Sequence, residues 1–228
     1  MLGVVSFLWH DSDLRHHAGL LGPASAAAIA DTLATAQVIG GIAVLHPRGA
    51  RAGSLLVGLV FALLSLACVP GIVHAPRAYV QYGDFFENFA VVCGALGVYA
   101  AAGVSRLRAS TPRTAARIGF ALCAISFAVA QTVYFRLTAS LVPAWIPPNQ
   151  AFWVTLTTIA FLLAAVALLV DRGARVALHL TALMLAVFAV VVWVPLIAAQ
   201  PAALANWSEL AETLLIAACA WNVARVSR

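Results

Sequence analysis

With 228 residues, 64% of them hydrophobic and 9% charged, and a mean hydropathy of +0.99, the chain is too apolar for a water-soluble globule, a disordered segment, a collagen or a disulfide-stapled secreted module. All 13 basic residues are arginines spread between apolar stretches. The formal charge of +5 therefore builds no clustered basic face, and no nucleic-acid partner is expected; what remains is an all-α polytopic membrane protein.

The opening Met1–Trp9 is apolar but about half as long as a span requires. It shows no signal-peptide cleavage pattern, because His10, Asp11, Asp13 and Arg15 follow at once. If that helix continues, His10, Asp13 and His17 fall on one face at i, i+3 and i+7. Imidazole and carboxylate make these three weak candidates for a metal. They match no metal signature, and a polar helix end at the interface is the plainer reading.

Seven stretches then reach the roughly 20 residues of a spanning helix: Ser25–Leu45, Gly53–Ile72, Phe86–Val104, Ile118–Phe135, Gln150–Val170, Val176–Ile197 and Trp207–Ala224. They are rich in Ala and Leu and lack period-two alternation, which predicts helices rather than strands. Between the fourth and fifth, Val142-Pro-Ala-Trp-Ile-Pro-Pro-Asn149 holds three prolines. It predicts a re-entrant or surface-lying loop with Trp145 as an interface anchor. Pro70 and Pro195, at matching places in their spans, should kink or end those helices.

Landmarks between the spans recur in order. Arg48-Gly-Ala-Arg51 returns as Arg172-Gly-Ala-Arg175 at an offset of 124 residues, Val69-Pro70 as Val194-Pro195 and Pro76 as Pro201 at 125, and Phe85-Phe86-Glu87 as Trp207-Ser208-Glu209 at 122. These predict a duplication into two four-helix repeats, residues 1–108 and 109–228, comprising seven full spans and a short first helix. An even helix number per unit makes the repeats parallel, with their axis along the membrane normal. In this alignment the first helix lacks the counterpart of Ile118–Ala124. Unpaired N–H groups left in hydrocarbon would cost several kcal/mol each, so a missing native N-terminal segment, a bound lipid or a partner subunit's helix is expected beneath it.

Ten arginines fall on one side of the predicted spans: Arg48, Arg51, Arg106, Arg108, Arg113, Arg117, Arg172, Arg175, Arg225 and Arg228; Arg15, Arg77 and Arg136 fall on the other. The positive-inside rule places the C-terminus in the cytoplasm. Seven of the eight acids lie on the outer side, Asp171 being the exception. They suggest an outer-facing intramembrane cleft, with Asp31, Glu87, Glu209, Glu212 and Arg136 as ligand candidates. Each has a plainer reading. Glu87 and Glu209 sit about one turn into their helices, where the macrodipole favours carboxylates, with Asn206 as a cap. Glu212 follows Glu209 on the same face, deeper. Asp31, with Gln37 nearly two turns further in, can pair with Arg77 or Arg136, and Arg136 can snorkel to the interface.

Other chemistries find no support. There is no nucleophile elbow, no P-loop, no dinucleotide fingerprint and no haem-attachment motif. Cys68, Cys93, Cys123 and Cys219 form no C-x-x-C pair and read as buried small hydrophobes. His179 reads as a packed or interfacial histidine.

Leu141-Val-Pro-Ala-Trp-Ile-Pro-Pro148, then Phe152-Trp153 leading an Ala/Leu-rich helix, Arg172-Gly-Ala-Arg175, Val194-Pro-Leu and Asn206-Trp-Ser-Glu209 resemble the DoxX-like family of small four-helix membrane proteins. The resemblance covers about residues 118–225; the first half, with Leu21-Gly-Pro-Ala-Ser25 in place of the Trp-Ile-Pro-Pro segment, has diverged. It implies a link to quinone-dependent sulfur oxidation or redox homeostasis, as a membrane subunit. With no covalent cofactor motif, electrons would come from a partner or a bound quinone. Three functions follow as expectations: an inner (plasma) membrane subunit of an oxidoreductase system binding quinone or another lipid-soluble ligand, a non-catalytic assembly or anchoring subunit among other membrane proteins, and a small-solute transporter.

Overall fold

The computed structural model describes residues 23–102 and 110–227. The expected short first helix, the candidates His10, Asp13 and His17, and Arg106 and Arg108 lie outside the described residues. The described chain is helical without strands: α1 (Pro23–Leu45), α2 (Ala50–His74), α3 (Val80–Ala101), α4 (Ser110–Val133), α5 (Phe135–Leu141), α6 (Gln150–Leu169), α7 (Ala174–Phe188), a π-helical turn (Ala189–Trp193), α8 (Val194–Ala199) and α9 (Leu204–Val226).

Six of these segments are long and apolar enough to cross a membrane, α7 to α8 counting as one. The seventh expected span, α9, matches them in length at 23 residues but is not among them on composition. Asn206, Glu209, Glu212 and Asn222 dilute its apolar stretch. Its packing suits that polarity: α9 lies against both α3 and α7, burying Ile216, Cys219 and Val223, so much of its surface meets protein.

Successive helices pack as neighbours, α1 on α2, α2 on α3, α3 on α4, α4 on α6, α6 on α7 and α7 on α9, and α9 closes back on α3. The helices alternate in direction. One end of the bundle therefore gathers the turns holding Arg48 and Arg172 with the ends of α4 and α9, an arginine end. The other gathers the α2–α3, α4–α6 and α8–α9 connections, an acid end. A single core of Phe61, Val91, Phe120, Phe161, Leu168 and Leu178 among many buried alanines runs through both halves of the chain. Small residues let helix axes approach closely, the dominant packing device where lipid and core are equally apolar.

The two Arg-Gly-Ala-Arg turns need their glycines for different reasons. A Cβ on Gly49 would lie 2.7 Å from the Ala43 carbonyl oxygen, while Gly173 is left-handed at φ 68°. At the acid end a recurring bond fixes where three helices start. Tyr82 donates to the Pro76 carbonyl (3.4 Å), Trp153 to Pro147 (3.0 Å) and Trp207 to Pro201 (3.0 Å), each six residues back. Val142–Asn149 is the expected non-helical segment, with Trp145 exposed, and Asn149 caps α6 through a bond from the Phe152 amide (2.8 Å).

Three local expectations are refined. Pro70 does not end its helix: α2 runs on to His74, whose Nδ1 lies 2.7 Å from the Pro70 carbonyl oxygen. Ahead of Pro195 the α-helix does end, at Phe188, and the π turn Ala189–Trp193 intervenes before α8, where the proline's missing N–H frees a carbonyl. Asn206 is not a cap; α9 begins after Ala203, and Asn206 donates to the Leu196 carbonyl (3.3 Å).

Candidate functional site

The expected ligand residues separate into three places. Glu87 and Glu212, like Asp84, are each within electrostatic range of Cys68, towards the acid end of α2. Asp84 also accepts, through its carbonyl, from Asn88 Nδ2 (2.8 Å). Glu87 lies two turns inside α3 and Glu209 well beyond the first turn of α9, because both helices start earlier than the sequence suggests. Neither acts as an N-terminal charge. Glu209 is exposed.

Asp31 is exposed on α1 and lines a shallow open groove with Thr32 and Thr35. Arg136 is exposed on α5, which packs on α6. Among the described residues neither Arg77 nor Arg136 pairs with Asp31; an ion pair joins Arg117 Nε to Asp171 Oδ1 at 3.4 Å. It closes the arginine end, where Arg117 also donates to the Leu168 carbonyl. Opposite it, Arg51 donates to Tyr99 Oη at 2.7 Å and lies over the ring at 4.8 Å. His179 packs edge-on against Trp221 at 4.5 Å, the packed histidine expected.

A cavity of about 340 Å³ lies elsewhere, among the arginine-side halves of α1, α2, α3 and α9. Its walls are apolar, from Val38, Val57, Phe61, Val91 and Leu215, with four polar groups: Gln37, Ser54, Cys219 and Asn222. Among the described residues no charged side chain lines it. Ser54 is satisfied by the Arg51 carbonyl (2.9 Å). Gln37 Oε1 is buried with no hydrogen-bond partner, a condition that costs about 1–3 kcal/mol. The size and polarity match small-molecule pockets, which are mostly apolar with a few placed polar groups. Among the described residues no group of three or more His, Cys, Asp or Glu is arranged to hold a metal ion.

Gln37 and Asn222 are the residues that attention to charge passes over. The signal was present, since an amide inside an apolar span is as informative as an acid. No family model, no curated protein and no solved structure matches this chain.

Proposed function

We propose that this protein is a membrane subunit of an oxidoreductase system that draws a neutral, lipid-soluble ligand of the quinone class into the cavity between α1, α2, α3 and α9. The observation that carries this is Gln37, whose buried acceptor has no partner inside a cavity of about 340 Å³. A bound molecule with a small polar head and an apolar body would satisfy the amide and fill the space. Among the described residues the walls carry no charge to pair with a phosphate or carboxylate head. The site thus moves from the outer acids to the arginine-side half. The carboxylates near Cys68 become a separate polar region, to which we assign proton exchange at the outer face.

The same proposal includes a DoxX-like duplication, a plasma-membrane location with a cytoplasmic C-terminus, α9 as a seventh span, and neighbouring membrane subunits that supply electrons. Duplication draws support from the matching neighbour order, α1–α2–α3 against α6–α7–α9. It also draws on contacts between α3 and α9. Gly94 lies against Cys219 and Gly97 against Asn222, each pair 125 residues apart. A two-fold axis brings equivalent residues together in this way. The 125-residue offset also relates the Tyr82–Pro76 bond to the Trp207–Pro201 bond. It therefore replaces 122 for the last helices and makes Glu87 the counterpart of Glu212.

An azido analogue of a short-chain ubiquinone, photolysed on the full chain in mild detergent, tests the cavity. Label on peptides carrying Gln37, Ser54 or Asn222, displaced by unlabelled ubiquinone, is the expected result. Displaceable label confined to the acid end would return the site to the outer carboxylates.

A further inference from the structure

Three of the four cysteines converge where the two halves of the chain meet. Cys93 on α3, Cys123 on α4 and Cys219 on α9 are all buried and none is in a disulfide. A Cβ built on Gly119 would fall 2.6 Å from Cys93 Sγ, so that sulfur rests on the α4 face at Gly119. Cys123 is one turn further along the same face and shares the buried core with Cys93. On the other flank, a Cβ on Gly94 would overlap Cys219 Sγ, which places the third sulfur beside the residue after Cys93. Cys219 also lines the cavity. The two glycines leave room for the sulfurs on the two flanks of α3, with Cys219 at the cavity wall and Cys93 and Cys123 in the core.

We infer that Cys93 and Cys123 form a redox-active dithiol in the bundle core, with Cys219 linking it to the oxidant in the cavity. The inference rests on the cavity reading proposed above. In the first step Cys219 and Cys93 lose their S–H bonds and join as a disulfide. The two electrons and two protons reduce a quinone to the hydroquinone. Cys123 sulfur then attacks Cys93 Sγ; the Cys93–Cys123 bond forms, and Cys219 leaves with the proton as a thiol. Net, one dithiol is oxidised and one quinone reduced, and Cys219 is regenerated. Cys68, towards the acid end of α2, takes no part.

Counting thiols in the full-length protein tests this. Reduced protein in mild detergent is exposed to a short-chain ubiquinone or to diamide, a small thiol oxidant that needs no cavity. It is then denatured, alkylated and mapped without reduction. With either oxidant the alkylatable thiols should fall from the four of the chain by two, with a Cys93–Cys123 crosslink and Cys68 alkylated. Cys219→Ser should slow the ubiquinone reaction about tenfold and leave the diamide reaction unchanged. Bridging of Cys93 to Cys123 by diamide but not by ubiquinone supports the dithiol and overturns the quinone reading of the cavity. Cavity label by the azido-ubiquinone with all thiols still alkylatable after both oxidants overturns the dithiol and leaves the cavity reading standing. A stable bridge between any other pair also overturns it. Wild-type protein carries the decisive readings, so they do not depend on a variant folding.

Discussion

Under the duplication proposed above, the offset of 124 residues that carries Arg48 onto Arg172 sets Gln37, Gly41 and Ser54 in the first half of the chain against Phe161, Ala165 and Leu178 in the second. The second half is filled. Phe161 is 2% exposed and packs edge-on against Phe127 at 5.5 Å, and Leu178 is fully buried. Among the described residues the first half leaves a cavity there, with an unpartnered amide on its wall. A helical bundle of this kind therefore holds together with ordinary apolar filling at those positions. Folding does not require the hollow, which lowers stability, and departures from consistent packing concentrate at functional sites.

The largest effect should come from making the filled half resemble the hollow one. Phe161→Gln removes a buried ring and adds an amide without partners, at a cost of about 3–5 kcal/mol, read as a shift in unfolding by denaturing detergent. A loss under ~1 kcal/mol would mean that the second half tolerates the hollow equally, and the contrast would lose its meaning. The reverse change is smaller. Gln37→Leu removes the orphan acceptor and should stabilise the protein by about 1 kcal/mol while weakening ubiquinone binding. Destabilisation would show that Gln37 serves the fold.

Much of the architecture was legible in the sequence because a spanning helix needs a long apolar run, and six such runs are unmistakable. The polarity of α9 obscures its assignment, since it packs between α3 and α7 and so tolerates Glu212 and Asn222. Helix starts were misplaced by about a turn at Glu87 and Glu209 because the Tyr82–Pro76 and Trp207–Pro201 bonds, which fix those ends, are tertiary facts of the turn. The acids stood out as charges in an apolar chain, but only helix neighbourhood decides which of them meet. Glu87 and Glu212 both act on Cys68 because α2 and α9 each pack on α3. Asp31 and Arg136 stay apart because α1 and α5 pack on different helices. Cys93 and Cys123 are separated by 30 residues, a spacing that carries no motif. Only the packing of α3 on α4 over Gly119 brings them together.

Gly41 gives the most direct test of the claim that the hollow is a ligand site. It lines the cavity, and a Cβ built there meets nothing within 4 Å, so Gly41→Leu adds a side chain to empty space without disturbing a packed contact. A short-chain ubiquinone titrated into wild-type and Gly41→Leu protein, with binding read by equilibrium dialysis in detergent, should bind saturably to the first. The variant, with unfolding unchanged or slightly harder, should bind at least about tenfold more weakly. Equal affinity in both proteins would contradict the assignment of the cavity.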